Sequence, residues 1–141
     1  MTACFVESSA VLGWLLNAPD AARIAGMLDE APTVAASALT IAEVLRSLRR
    51  MVAAGTLAEV ARERAITAFR TAAAQWEVHA VTDALIERAG EPFPVEPIRT
   101  LDAIHVATAL RVAGALGPLT VVSSDRRVRE NARALGFAVA P

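Results

Sequence analysis

Residues 119–140, LTVVSSDRRVRENARALGFAVA, decide the fold of this 141-residue chain. Their first four residues form the clearest buried strand in the sequence, and a helix is predicted from Asp125 to Leu135, ending at Gly136. A last, edge-like strand is predicted over residues 137–140. A strand, a helix and a strand in immediate succession indicate a βαβ unit, in which helices cover a parallel sheet.

The same alternation of short apolar runs and longer periodic segments continues toward the N-terminus. Further strands are predicted at residues 3–6, 33–36 and 76–81, and further helices at 10–17, 21–30, 40–54, 57–74, 82–89 and 101–113. We expect Ser8 or Ser9 to cap the first helix and Thr100 to cap the helix at 101–113. We therefore predict a single domain, residues 1–141, of the α/β class, with a central, mostly parallel five-stranded sheet between layers of helices.

The composition excludes several classes of chemistry. The chain has no lysine and no tyrosine, and all 14 of its basic residues are arginine. A P-loop and a Schiff-base mechanism both need lysine, and one cysteine with two histidines cannot build a disulfide or a zinc cluster. The chemistry must therefore come from carboxylates, hydroxyls and arginines, while Cys4 is expected to be a buried strand residue.

The charge balance and the termini bear on partners and compartment. With 15 acidic residues the net charge is -1, so any binding of nucleic acid must come from a local cluster of charge. The N-terminus has no secretory signal pattern, and no run of eighteen apolar residues occurs. These features predict a cytoplasmic protein that does not enter a membrane.

Four acidic residues from distant parts of the chain are predicted to meet at one edge of the sheet. Glu7 and Asp125 follow predicted strands, whereas Glu43 and Asp102 lie in the first turns of predicted helices. Ligands of a parallel sheet bind at the carboxyl ends of its strands, which is that edge. Four carboxylates repel one another unless a cation joins them, and hard oxygen ligands suit Mg²⁺ or Mn²⁺. Such a site is typical of metal-dependent phosphodiester hydrolysis.

Each acid also has a purely structural interpretation. Thr40-x-x-Glu43 has the form of a capping box, and so does Thr56-x-x-Glu59. Asp102 suits the positive end of a helix dipole, and Asp125 suits an N-cap. Position alone favours these interpretations, and only the joint placement of the four acids argues for a site.

Five segments of the chain carry a resemblance to a known family. They are, in order, FVESSA (5–10), LTIAEVL (39–45), LDAIHVATA (101–109), VSSDRR (122–127) and RALGFAV (133–139). The first four come in the order seen in PIN-domain proteins, and LDAIHVATA is the most specific. The whole chain resembles the VapC-type toxin ribonucleases of bacterial toxin–antitoxin pairs.

The resemblance implies a PIN-like three-layer α/β/α sandwich and a metal-dependent endoribonuclease. The acids of the family motif fall on Glu7, Glu43, Asp102 and Asp125, which would surround Mg²⁺ or Mn²⁺. Small hydroxyl residues of the motif fall on Ser9 and Ser123, where they would orient a carboxylate or a water molecule. The implied partners are an RNA substrate, a small antitoxin protein that masks the site, and a second copy of the chain in a homodimer.

One residue departs from the family pattern. The first acid is usually Asp, and Glu7 is longer by one methylene group. Mg²⁺ tolerates altered geometry poorly, and a misplacement of about 1 Å can cost on the order of a hundredfold in rate. The alternative function is therefore a PIN-fold binding module with weakened or lost catalysis. A phosphatase ranks last, because Glu7-Ser8-Ser9 lacks its nucleophilic Asp.

Other residues carry secondary predictions. Arg99, Arg126, Arg127 and Arg129 flank the acids and are candidates for RNA phosphates, the alternative being a solvated helix face shared with Glu130. His105, one turn after Asp102, either reaches the site or packs in the core. Trp14 and Trp76 are expected in the core or against a partner. An exposed apolar patch that would suit an antitoxin helix is expected from Met27, Leu28, Leu48, Met51 and Val52.

Overall fold

The computed structural model describes residues 2–141, and these form five strands and seven helices. The strands are β1 Ala3–Val6, β2 Val34–Ser37, β3 Glu77–His79, β4 Leu119–Val122 and β5 Ala138–Ala140. The helices are α1 Ser8–Leu15, α2 Ala21–Glu30, α3 Ala38–Ala53, α4 Glu59–Ala73, α5 Asp83–Ala89, α6 Thr100–Leu116 and α7 Arg126–Ala134. In this part of the chain no helix has the length and apolar character needed to cross a membrane.

The strands form one sheet in the order β3-β2-β1-β4-β5, and each neighbouring pair is parallel. The predicted five-stranded sheet is confirmed, with β5 at an edge as expected. From β1 the chain builds outward through β2 and β3, then crosses back to build β4 and β5 on the other side. The order therefore reverses between β1 and β4, which opens a crevice beyond the carboxyl ends of these two strands.

The core lies on both faces of the sheet, as the predicted sandwich requires. Alternate residues of β1 serve the two faces: Cys4 and Val6 pack with α1 to α4, and Phe5 packs with α6 and α7. The two faces together bury the central strands, which explains why three of the four residues of β4 are apolar and buried. Cys4 is buried, and burial raises the pKa of its thiol, so it is a packing residue.

The predicted start of α1 is wrong, because the helix begins at Ser8 and not at residue 10. Glu7 is the N-cap, and Ser8 and Ser9 lie inside the helix. Their hydroxyls donate to carboxylates, as described below, and do not accept from the amides at the helix start.

Two other predicted caps are also wrong. Ser37 caps α3 by accepting from the Leu39 amide at 3.1 Å, so the helix starts before Thr40, whose buried hydroxyl has no hydrogen-bond partner. Thr100 is the first residue of α6, and Arg99 is its N-cap. In both cases the helix begins closer to the preceding segment than apolar periodicity indicates.

Thr56-x-x-Glu59, which has the form of a capping box, does not act as one. Ala58 is the N-cap of α4, and the Thr56 hydroxyl donates to the carbonyl of Met51 at 3.1 Å. By contrast, Asp125 caps α7 as predicted, accepting from the amides of Arg127 and Val128 at 2.9 and 3.1 Å.

The apolar patch expected on the early helices does not form. Leu48 is completely buried, and Met27 and Leu28 pack against the core. These side chains stabilise the fold, so they do not supply an exposed surface for a partner.

Candidate active site

The first and last acids of the motif, Glu7 and Asp125, lie at the crevice between β1 and β4. β1 ends at Val6 and β4 at Val122, and the Glu7 amide donates to the Val122 carbonyl at 3.0 Å. This bond holds the ends of the two strands together. Glu7 and the loop before Asp125 therefore start from the same edge of the sheet.

Serine hydroxyls surround the Glu7 carboxylate, which is only 3% exposed. Ser8 donates to its Oε1 at 2.8 Å, and Ser123 donates to its Oε2 at 2.8 Å. Ser9 makes a short hydrogen bond to the same Oε2. The Ser9 hydroxyl in turn accepts from the Ser124 amide at 2.9 Å, so the loop after β4 is joined to α1. This network fixes the orientation of a buried charge.

The Glu43 carboxylate is joined to Glu7 through one hydroxyl. Ser8 Oγ lies 3.2 Å from Glu43 Oε1 as well as 2.8 Å from Glu7 Oε1. His105 Nε2 makes a short contact with the same oxygen of Glu43. The His105 ring is completely buried, and its Nδ1 has no partner. His105 therefore combines the two predicted interpretations, since it is packed in the core and it also reaches the site.

Asp102 and Asp125 face each other across an arginine. Arg99 Nε donates to Asp102 Oδ2 at 3.4 Å, and its terminal nitrogen lies 3.9 Å from Asp125 Oδ2. The Arg99 side chain is 70% exposed, so this contact does not hold it in place. The guanidinium supplies positive charge between two acids that would otherwise repel each other.

Two of the other acids act electrostatically on Asp102. Burial raises the pKa of the Asp102 carboxyl, and the negative charges of Asp125 and Glu7 raise it further, whereas Arg99 lowers it. The negative charges at this edge of the sheet therefore repel one another, and a cation bound there would relieve that repulsion.

The donor chemistry fits a divalent cation, but the side chains do not yet form a closed set of ligands. All four acids present oxygen atoms, which Mg²⁺ and Mn²⁺ prefer. Within residues 2–141, however, no three His, Cys, Asp or Glu side chains lie close enough together to hold a metal ion as they stand. Glu7 points into its serine cage and Asp102 and Asp125 pair with Arg99, so ion binding would require these side chains to move.

A groove of about 530 Å³ opens beside Glu43 and Asp102. The first turns of α6 form one of its walls, and one face of α3 forms the other. Its lining includes three arginines, namely Arg46, Arg50 and Arg99. Sequence reasoning singled out Arg99 alone, because the groove exists only where two helices distant in sequence come together.

The three arginines predicted on α7 have different surroundings. Arg126 is exposed and pairs with Glu130 at 3.1 Å. Arg129 donates to the carbonyls of Ser123 and Pro141 at 2.7 and 3.1 Å, which ties α7 to the end of the chain. Arg127 is half-buried. Arg99 contacts Asp102 and Asp125 through its guanidinium, whereas Arg127 contacts Asp125 through its backbone amide.

Sequence reasoning missed the second role of Ser8. It was considered only as a helix cap, whereas its hydroxyl connects Glu7 to Glu43. The available signal was the pair of consecutive serines directly after an acid at the end of a strand.

Comparison with known proteins identifies a family. The chain matches the PIN domain over residues 4–134. It is 34% identical over 139 residues to ribonuclease VapC46 of Mycobacterium tuberculosis, a match that covers 99% of this chain and 97% of that protein.

Solved structures share the fold at lower identity. The crystal structure of Mycobacterium tuberculosis VapC20, a Sarcin-Ricin loop cleaving toxin, superposes with a TM-score of 0.66 at 19% identity over 96% of both chains. VapBC2 from Rickettsia felis, bound to a DNA fragment from its promoter, superposes with a TM-score of 0.64 at 10% identity. That match covers 99% of this chain and 98% of the other. At these identities the likeness is one of fold.

Proposed function

We propose that this chain, which belongs to the PIN-domain family, is a divalent-metal-dependent endoribonuclease of the VapC toxin type. One observation carries the proposal: beside the carboxyl ends of β1 and β4, Ser8 joins the carboxylates of Glu7 and Glu43, and Arg99 lies against those of Asp102 and Asp125. A relative named as a ribonuclease, similar over nearly its whole length, supports RNA as the substrate.

The metal would be held by Glu7, Glu43, Asp102 and Asp125, with Mg²⁺ expected and Mn²⁺ as the other candidate. When bound, the ion supplies Lewis acidity toward water and toward the phosphoryl group. The chain itself supplies negative charge and exclusion of solvent. Two of the acids, Glu7 and Asp102, are buried, which strengthens their electrostatic interactions.

Hydroxyl and imidazole groups position the acids. Ser9 and Ser123 both donate to Glu7 Oε2, and Ser8 donates toward Oε1. His105 holds Glu43 from inside the core, where its ring has no freedom to turn. A side chain held by its neighbours keeps a ligand oriented, which matters because Mg²⁺ demands regular geometry.

Arginines would contact the RNA backbone. Arg99 is the first candidate, because it is exposed and already faces two of the acids. Once a cation neutralises Asp102 and Asp125, its guanidinium is free to pair with a phosphate. Arg126 and Arg127 remain proposed contacts at the rim, and Arg129 would have to leave two backbone carbonyls to join them.

The test is a cleavage assay on total RNA with purified protein. We expect cleavage that stops on addition of EDTA, returns with Mg²⁺ or Mn²⁺, and is abolished by Asp102→Asn. The matched control is Asp83→Asn, because Asp83 is also an acid in the first turn of a helix but is exposed on α5. Cleavage that survives Asp102→Asn would reject the site.

A binding module without turnover is the second candidate, and the surroundings of Glu7 favour it. This carboxylate is directed to three hydroxyls in a buried pocket, where a metal would have to compete with them. In that case the wild type binds its partner but cleaves no RNA, and Glu7→Asp restores cleavage by moving the carboxylate back. Equal or greater cleavage by the wild type would exclude this candidate.

We also propose an antitoxin partner, a homodimer and a cytoplasmic location. Similarity in fold to the VapBC2 structure supports the antitoxin. Co-expression with the product of a short neighbouring reading frame would test it, since a cognate antitoxin copurifies and suppresses cleavage. Light scattering on the purified chain would test the dimer.

A further inference from the structure

One face of α3 runs from the acids along the groove. Glu43, Arg46, Ser47 and Arg50 all line the groove, and their spacing places them on the same side of the helix. Glu43 lies at the catalytic end. At about 1.5 Å per residue, Arg50 lies about 10 Å farther along the helix axis, with Arg46 between them.

The two arginines on this face keep their charge free. Within residues 2–141, neither Arg46 nor Arg50 forms an ion pair with a carboxylate, and Arg50 only donates to Ser47 Oγ at 3.1 Å. Both side chains are exposed. Arg99, the third arginine that lines the groove, differs from them because it lies against Asp102 and Asp125. Positive charge therefore remains free at the end of the groove that carries Arg46 and Arg50, while the two acids of the lining, Glu43 and Asp102, lie at the other end.

The facing wall adds groups that suit a nucleotide chain. Arg99, Thr100 and Leu101 form it, and no side chain caps the first amides of α6. Uncapped amides at the start of a helix favour anions. The Leu101 side chain is 46% exposed in the same groove and offers an apolar contact to a sugar or base.

We propose that the groove between α3 and α6 binds the single-stranded RNA next to the cleaved bond, with Arg46 and Arg50 on successive backbone phosphates. This inference rests on the proposed ribonuclease function and adds the direction in which the RNA strand runs from the acids. On this side of the cleaved bond the substrate runs along α3, past Glu43 and Asp102. The two free arginines follow one another along α3, away from the acids. They therefore match an RNA strand whose reactive phosphate lies at the acids and whose next phosphates lie along the helix.

The binding test uses a fluorescently labelled single-stranded RNA and fluorescence anisotropy. All variants carry Asp102→Asn to prevent cleavage. Arg46→Ala with Arg50→Ala is expected to weaken binding by about tenfold or more at low salt, because two charged hydrogen bonds are lost. The slope of log affinity against log salt is expected to fall by about 1.4, which is about 0.7 for each phosphate contact to a single strand.

Two matched variants separate charge and position. Arg64→Ala with Arg70→Ala removes the same charge from exposed positions on α4, and binding is expected to stay close to that of the parent. Arg46→Lys with Arg50→Lys keeps the charge, so most of the salt slope is expected to return. If the α4 pair weakens binding as much as the α3 pair, the groove has no special role and the proposal is overturned.

Cleavage by the otherwise wild-type protein distinguishes the possible failures. The α3 double variant is expected to raise KM while kcat changes little, because it loses binding and not chemistry. If the α3 double variant cleaves RNA with the KM of the wild type, the groove assignment alone is overturned. If the wild type neither cleaves nor binds RNA, the ribonuclease proposal is overturned as well.

Polyglutamate serves as an acidic protein probe. If the α3 double variant loses affinity for polyglutamate but not for RNA, the groove binds an acidic peptide and the proposal is rejected.

Discussion

Asp102 is the residue at which stability and function conflict. Burial and the charges of Asp125 and Glu7 raise its pKa, so the folded protein binds this proton more tightly than the unfolded chain does. The stabilising effect of the protonated form is therefore present at low pH and is lost as pH rises through the folded pKa. At neutral pH, in the absence of a cation, the ionised carboxylate destabilises the fold.

Asp102→Asn is accordingly expected to raise the Tm in EDTA near pH 7. The gain is a few degrees, the shift that about 1 kcal/mol produces in a chain of this size. It should shrink as the pH falls through the folded pKa, which lies above the ordinary value for Asp, because the wild-type carboxyl is then protonated. Thermal melts of both proteins across this pH range provide the measurement. Asp83→Asn is the control, and a wild type that is more stable than Asp102→Asn near pH 7 would contradict the argument.

Glu7→Asp tests whether the extra methylene has a structural purpose. The Glu7 carboxylate satisfies hydroxyls of Ser8, Ser9 and Ser123 at once, and a shorter side chain cannot keep all three contacts without movement of the backbone. A buried hydroxyl that loses its acceptor costs about 1–3 kcal/mol. We therefore expect a lower free energy of unfolding in urea for Glu7→Asp, whatever its effect on cleavage. An unchanged urea midpoint would mean that the serines readily find other acceptors.

At the scale of the element, α7 depends on an acid that also belongs to the site. The Asp125 side chain caps this helix by accepting from two amides, and its charge contributes to the field at Asp102. The two roles separate chemically, because asparagine caps a helix nearly as well as aspartate but carries no charge.

Asp125→Asn is therefore expected to change the free energy of unfolding by less than about 0.5 kcal/mol, whereas Asp125→Ala should cost about 1 kcal/mol through loss of the cap. Both variants should lose RNA cleavage, since neither supplies a carboxylate. Urea denaturation and the cleavage assay together give the comparison. Equal stability of the two variants would show that the cap contributes little to α7.

The elements that the sequence predicted best are those in which every local signal agrees. α2 and β4 have the predicted bounds, because prolines lie on both sides of α2 and because three of the four residues of β4 are apolar. The starts of α1, α3 and α6 were misjudged, because the cap depends on where the preceding segment ends and on what else a serine or threonine can bind. Ser8 shows this directly, since its hydroxyl goes to two carboxylates.

The candidate site divides in the same way. The positions of the acids were largely predictable: Glu7 and Asp125 follow strands and Asp102 lies in the first turn of α6, although Glu43 lies in the second turn of α3, which starts at Ala38. The arginines of the groove were not predictable, because Arg46 and Arg50 look like an ordinary solvated face until α6 lies opposite. The apolar periodicity of a sequence describes a single helix, whereas this groove is formed by two helices that are distant in sequence.

At the scale of the whole molecule, the four acids belong to elements that are far apart in the sequence. They come from the ends of β1 and β4, the second turn of α3 and the first turn of α6, and these two helices lie on opposite faces of the sheet. An ion bound by acids on these elements would link the two layers of helices through the crevice. Unfolding would separate the ligands and release the ion, so binding favours the folded chain as a unit.

Mg²⁺ or Mn²⁺ is therefore expected to raise the Tm of the metal-free protein, independently of any RNA. At an ion concentration about a hundredfold above Kd the gain is about 2.7 kcal/mol, which is several degrees for a chain of this size. Differential scanning fluorimetry with increasing ion concentration measures it. Asp102→Asn should remove most of the shift although it stabilises the ion-free protein, so the effects of the ion and of the substitution are not additive. An equal shift in wild type and Asp102→Asn would place the ion elsewhere, because relief of repulsion at Asp102 would then have no part in binding.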